Sequence, residues 1–251
     1  MKALILAAGI GQRLGELTSD IPKCLLPIDS STTLLDYSLQ AIKDNGFTEV
    51  VFITGHAEDK LKKHIANNWK HKLNFKFIFN DKYSEFNNVY SAYLATDIWD
   101  DETVLFNSDI IFHPDILKNL IQYSREGAQS YLVIHDKKIL NAEDMKVKVN
   151  DKDEIKQINK GLDLQTSYGE YIGILALKGK ERIKLLESLE KNVNEKRLNI
   201  YYEDALDHVL SEISVYPSST EGKIWTEVDT KEDYELAKKI AKEIGSPCTI
   251  K

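Results

Sequence analysis

Apolar residues along this 251-residue chain follow two rhythms in its first half. Short unbroken runs, "ALILAA", "EVVFITG", "NFKFIFN" and "TVLFNSD", alternate with longer stretches in which apolar residues recur every three or four positions. An unbroken run suits a strand covered on both faces, and the wider spacing gives a helix one apolar face. The helical stretches are "LLDYSLQAIKDNG", stopped by Gly46, "EDKLKKHIANNW", "NNVYSAYLATDI", capped by Asn87 or Asn88, and "PDILKNLIQYSREG", with proline in its first turn. In the third of these, Tyr90, Tyr93, Leu94 and Ile98 fall on one face and are expected in the core. Strand and helix in alternation predict an α/β fold with a doubly wound, largely parallel sheet.

The second half changes rhythm. "SYLVIHD", "MKVKVND" and "EIKQINK" are short strand-like pieces joined by polar turns, and "GEYIGILAL" returns to a buried strand. The helix "GKERIKLLESLEKNV", helical "YYEDALDHVLSE", strands "ISVYPS" and "KIWTEVD", and a closing charged helix "TKEDYELAKKIAKEIG" complete the order, the last capped by Thr230 or Asp229. This predicts a mixed sheet with a small β extension and a sealing helix. No repeat, low-complexity tract or linker interrupts residues 1–251, so one domain is expected.

Composition narrows the function. Hydrophobic residues at 42% supply a real core, and a net charge of −7 argues against a nucleic-acid partner. The opening run is short for a secretory segment, and no run reaches the ~20 apolar residues of a membrane span. A cytoplasmic protein with no membrane partner is therefore expected. Cys24 and Cys248 are far apart and read as reduced thiols, Cys24 as a packing residue. The six histidines show no ligand spacing and receive no role.

Candidate chemistry begins at "AAGIGQRLG", where glycines 9, 11 and 15 follow the first strand. Such a turn lets backbone N–H groups close on phosphate oxygens. A dinucleotide site of an oxidoreductase would want an acid closing the second strand, but that strand ends "FITGH". Arg13 and Lys23 instead supply the fixed cations that a nucleoside triphosphate requires.

The whole stretch "LAAGIGQRLGELTSDIPKCLLPI" resembles the opening motif of sugar-nucleotidyltransferase-type enzymes, LAAGxGxRxxxxTxxxPKxLxxI. The likeness continues at "FNSDIIF" and "WTEVDTKEDYELAKKI". Within that superfamily "FNDKYSEFNNVYSAYLA" resembles bacterial phosphocholine cytidylyltransferases. "DMKVKVNDKDEIKQINKGL" with "GEYIGI" resembles those acting on 2-aminoethylphosphonate or phosphoglutamine. The resemblance implies a Rossmann-like nucleotidyltransferase fold and transfer of a cytidylyl group from CTP to a small phosphate or phosphonate bearing an amine, choline or amide group, releasing pyrophosphate. It leaves a sugar-1-phosphate nucleotidyltransferase as the alternative, and the oligomeric state, monomer or homodimer, open. Residues up to about 112 would form the nucleotide half and those from about 113 the acceptor half.

The resemblance also implies roles. Nucleotide contacts fall to Leu6, Ala7, Ala8, Gly9 and Gly11, to Asn80 with Asn88 and Ser91 beside it, and to Ser108. Arg13 would hold the β- and γ-phosphates, Lys23 the α-phosphate, and Lys160 the acceptor phosphate. Asp109 and Asp229 would hold one Mg²⁺; Asn107 stands where some relatives carry a further acid. Glu170 and the cluster Tyr201, Tyr202, Glu203 and Asp204 would receive a cationic acceptor tail, since a carboxylate beside aromatic faces suits an ammonium.

Overall fold

The computed structural model describes residues 1–127 and 129–247, so Cys248 lies outside the described residues. The first-half pattern yields strands β1 (Lys2–Ala7), β2 (Glu49–Thr54), β3 (Asn74–Phe79) and β4 (Thr103–Asn107). All run parallel, in the order β4-β1-β2-β3. Helices α1 (Leu34–Asp44), α2 (Glu58–Asn68) and α3 (Asn88–Tyr93) connect them. The short β5 (Ile110–Phe112) and α4 (Pro114–Gly127) follow.

Beyond α4 come β6 (Ser130–His135), β7 (Lys146–Val149), β8 (Ile155–Asn159) and β9 (Gly169–Ala176). Helices α5 (Gly179–Asn194) and α6 (Tyr202–Asp207), strands β10 (Val215–Ser219) and β11 (Trp225–Glu227), and α7 (Lys231–Ile244) complete the chain order. β9 runs antiparallel between β4 and β6, giving a sheet ordered β10-β6-β9-β4-β1-β2-β3. The hairpin β7–β8 hangs from β9 as the β extension. The fold is thus mixed α/β with a mostly parallel centre.

Alternation along β1 explains its unbroken apolar run. Ala3, Ile5 and Ala7 pack on the face covered by α1, α2 and α4, while Leu4 and Leu6 pack on the face covered by α3, α5 and α6. A third cluster joins Leu14, Leu26, Leu34, Ile111, Val228, Tyr234 and Ile240, fastening α7 to the opening loop and β5.

Three elements differ from the sequence pattern. The third helix ends at Tyr93, and a 3-10 turn covers Thr96–Ile98. The buried stripe of this helix and turn is Val89, Ala92, Ala95 and Trp99. The expected set, Tyr93, Leu94 and Ile98, is only partly buried at the margin of that cluster, and Tyr90 is partly buried, stacked on Tyr93. The two alanines let this segment approach the sheet more closely than tyrosines would allow. α6 stops at Asp207, short of the helical pattern read from "YYEDALDHVLSE". β11 pairs with β5 in a separate two-stranded sheet rather than extending the large one.

Candidate active site

The carboxyl ends of β1 and β4 open onto a cavity of about 590 Å³. The loop after β1 is held by its own side chains. Gly11 turns left-handed (φ 70°), and a Cβ there would lie 3.3 Å from the Thr18 side chain. Thr18 Oγ1 donates to the Gly11 carbonyl at 2.8 Å, while His56 Nε2 meets the Thr18 carbonyl at 2.9 Å. A carbonyl only accepts, so that imidazole nitrogen carries the proton. Leu6, Ala7, Ala8, Gly9, Gly11 and Arg13 all line the cavity. Cys24 also reaches it, but burial pushes its thiol up to about 12 and leaves it a packing residue.

Lys23 forms the hub of the charged end. Its Nζ donates to Asp109 Oδ2 at 2.7 Å and to Asp229 Oδ1 at 2.5 Å, and Arg13 Nη2 holds the other Asp229 oxygen at 2.7 Å. Strand pairing makes this meeting possible. Asp109 sits in the turn between β4 and β5, Asp229 follows β11, and Val228 N donates to the Asp109 carbonyl at 2.8 Å. Burial opposes the Lys23 charge, but Asp109, then Asp229 and Glu227, hold the ammonium above the ordinary lysine value. Burial also works against the Asp229 carboxylate. Lys23, then Arg13 and Lys160, outweigh it and keep that carboxyl below the usual range.

Glu227 joins this end without having been singled out in the sequence. Carboxylate oxygens of Asp109, Glu227 and Asp229 all lie within 4.8 Å of one another. Its signal was the spacing "EVD", since residues two apart on a strand share a face. Burial, with Asp109 and Asp229 next, pushes the Glu227 carboxyl up. Asp109 Oδ1 is buried without a hydrogen-bond partner. Three clustered carboxylates, one with an oxygen unclaimed, are a donor set suited to a hard divalent cation.

On the opposite side of the opening loop, Asn80, Asn88 and Ser91 face the same cavity, as does Ser108. Asn80 is buried, donating to Ser91 Oγ at 3.0 Å and accepting from Lys82 N at 2.8 Å. Asn87 caps α3; the Asn88 side chain instead accepts from Tyr202 N at 2.8 Å, tying α3 to α6. Asn107 meets the backbone of Gly173, whose left-handed φ of 86° and lack of a Cβ admit the amide.

The far end gathers some expected residues and turns others away. Lys160, Glu170, Tyr201 and Glu203 line the cavity. Lys160 Nζ stands 5.3 Å from the centre of the Tyr201 ring. Glu170 is paired with Lys138 at 2.6 Å; burial, only partly offset by that lysine, pushes its carboxyl up to about 7. Glu203 is 4% exposed, its Oε2 has no partner, and burial pushes the carboxyl up to about 7. Tyr202 turns into the core, where its hydroxyl meets that of Tyr171 at 2.8 Å. Asp204 also stays off the cavity wall. It caps α6 by accepting from Tyr201 N at 2.7 Å, and its other oxygen accepts from Asn159 Nδ2 at 3.2 Å. Adjacent positions at a helix start point in different directions, so "YYED" divides between wall and scaffold.

The sequence and the fold are similar to those of known proteins. Residues 2–159 match the nucleotidyl transferase family, and the chain belongs to it. A choline-phosphate cytidylyltransferase of Streptococcus pneumoniae is 25% identical over 251 residues, covering 96% of this chain and 99% of that one. A CTP:phosphoglutamine cytidylyltransferase of Campylobacter jejuni is 26% identical over 266 residues, covering 94% and 98%. The inositol-1-phosphate CTP transferase of T. maritima shares the fold, with a TM-score of 0.78 at 23% identity over 97% of each chain. The chain is a nucleotidyltransferase, which sets aside the oxidoreductase reading of its glycine loop. No helix among the described residues is long and apolar enough to cross a membrane.

Proposed function

We propose that this protein transfers a cytidylyl group from CTP to a small phosphate or phosphonate whose other end carries an amine or quaternary ammonium. One observation carries the reading: a single cavity holds the Arg13–Lys23–Asp109–Asp229 constellation and, away from it, the buried, unpartnered carboxylate oxygen of Glu203. An anion at one end and a cation at the other would satisfy both. The relatives that act on choline phosphate and phosphoglutamine support this choice of acceptor class.

In this reading an acceptor oxygen bonds to the α-phosphorus of CTP as the bond to the β-phosphate oxygen breaks, and pyrophosphate leaves. Both reactants are anionic, so the protein must orient them and neutralise charge. Arg13 takes the β- and γ-phosphates, Lys23 the α-phosphate, and Lys160 the acceptor phosphate. Leu6, Ala7, Ala8, Gly9, Gly11 and Ser108 surround the nucleotide, and Asn80, Asn88 and Ser91 lie toward its base. Asp109, Glu227 and Asp229 would hold Mg²⁺, which when bound supplies further charge neutralisation at the phosphates. Residues up to about 112 form the nucleotide half, with Glu227 and Asp229 returned to it by β11.

Pyrophosphate release across ATP, CTP, GTP and UTP tests this, against phosphocholine, phosphoethanolamine, 2-aminoethylphosphonate, phosphoglutamine and hexose 1-phosphates. Turnover with CTP and an amine-bearing acceptor is expected. Turnover with hexose 1-phosphates alone would replace this reading with that of a sugar-nucleotide enzyme.

A further inference from the structure

A lysine that must meet an incoming phosphate needs its long side chain held, because four rotatable bonds otherwise spread the charge over many positions. Lys160 follows β8 immediately, and the protein grips this strand end at three successive residues. Ile158 N donates to Asp207 Oδ1 at 2.7 Å, Asn159 Nδ2 donates to Asp204 Oδ1 at 3.2 Å, and the Lys160 ammonium lies 5.3 Å from the Tyr201 ring centre. All three partners belong to α6 or its cap. That short helix is itself fixed from the nucleotide side. Asn88 Oδ1 receives Tyr202 N, and Asn87 N donates to the Leu198 carbonyl at 2.9 Å.

We infer that the start of α6 is a positioning bracket for Lys160, in which Tyr201 and Asp204 act through the lysine rather than on the acceptor's ammonium. The inference rests on the proposed transfer reaction. It assigns the face of Tyr201 to a cation of the protein itself, leaving Glu203 to meet the acceptor's cation. Asp204 then has a double task, with one oxygen capping the helix that carries Tyr201 and the other holding the residue before Lys160. The bracket also connects the two ends of the cavity. The chain Asn88–Tyr202–α6–Lys160 joins the base side to the acceptor side through hydrogen bonds and one ring contact.

Two readouts test the bracket. In protein whose lysines carry ¹³C-methyl groups, introduced by reductive methylation, the Lys160 resonance, assigned with Lys160→Arg, should be shifted upfield by the Tyr201 ring. Tyr201→Leu should return it to the position of free lysines, and Tyr201→Phe should keep it shifted. With the best acceptor and with an amine-free analogue, Tyr201→Leu should lower kcat by roughly two- to thirty-fold, leaving the ratio of the two acceptor KM values unchanged. Asp204→Ala should act in the same direction. A Lys160 resonance at the free-lysine position in the wild type overturns the bracket. So does a Tyr201→Leu effect confined to the KM of amine-bearing acceptors. A wild type that transfers no nucleotide overturns the transfer reading instead, and the resonance alone then decides the placement of Lys160.

Discussion

The two ends of the cavity treat charge in opposite ways. At the charged end, Lys23 and Arg13 are each already engaged with carboxylates at 2.5–2.7 Å. At the far end, Glu203 keeps a buried oxygen without a partner. An engaged set can accept a polyanion by exchanging partners, because its cations are already aimed and Lys23 is largely shielded from water. The unpartnered oxygen of Glu203 has nothing to exchange. Burial opposes charge at both places. Around Lys23 the acids Asp109, Asp229 and Glu227 outweigh it and hold the ammonium. At Glu203 the neighbouring Tyr202 and Asn88 offset it only in part, and the carboxyl rises to about 7. The contrast is between an end whose charges are already paired and one that leaves a buried carboxylate oxygen unpaired.

The sharpest way to break the comparison is to remove charge from the engaged end. Asp109→Asn and Asp229→Asn should each lower pyrophosphate release by several powers of ten, since a cation clamp is worth several kcal/mol in the transition state. Circular dichroism should remain that of the wild type, both residues being on the cavity rim. Near-normal turnover in either variant would sink the assignment of that end.

Glu203→Gln should move stability by a smaller amount, and only in one pH range. Folding raises this carboxyl from an ordinary 4.5 to about 7. The neutral form is the one the fold favours, so the stability it contributes is full below the lower value and is lost as pH rises through the upper. Across that window the wild type should lose about 3 kcal/mol relative to the glutamine variant. Urea unfolding of both proteins at pH 4.5, 6 and 8 measures the difference, in which the other carboxyls cancel. Parallel pH curves would show that Glu203 is solvated or paired. An amine-bearing acceptor should stabilise the wild type at pH 8 more than it stabilises the variant.

Gly173→Ala probes the partition between the ends with the smallest expected effect. The new Cβ would lie 2.6 Å from Asn107 Nδ2, on a backbone at φ 86°. A loss of about 1–3 kcal/mol in thermal or urea unfolding is expected. Unchanged stability would mean that Asn107 swings aside freely.

The same division explains what was legible in the sequence. Arg13 and Lys23 lie in one contiguous motif, and Asp109 stands just past an apolar strand, so the charged end could be read along the chain. Glu227 was overlooked although its alternation with Asp229 placed both on one face. At the far end adjacency misled. Of Tyr201, Tyr202, Glu203 and Asp204, only Tyr201 and Glu203 reach the wall, because a helix start sends successive side chains outward in different directions. Nor could local pattern reveal that Glu170 meets Lys138, a contact across 32 positions that follows from the β6–β9 pairing of His135 with Glu170. The parallel strands followed from buried runs, but the antiparallel insertion of β9 between β4 and β6 depends on packing partners far apart in sequence.

Glu227 and Asp229 depend on a strand of only three residues, paired with another of three and clamped by α7 against Leu14, Leu26 and Tyr37. That interlock is separate from the ladder of the large sheet. Local opening of β11 and α7 therefore carries two acids out of register while the sheet keeps its hydrogen bonds. Amide exchange should be two-tiered, with β11 and α7 exchanging well ahead of β1 and β4. Gentle heating should silence the enzyme before it melts, and cooling should restore it.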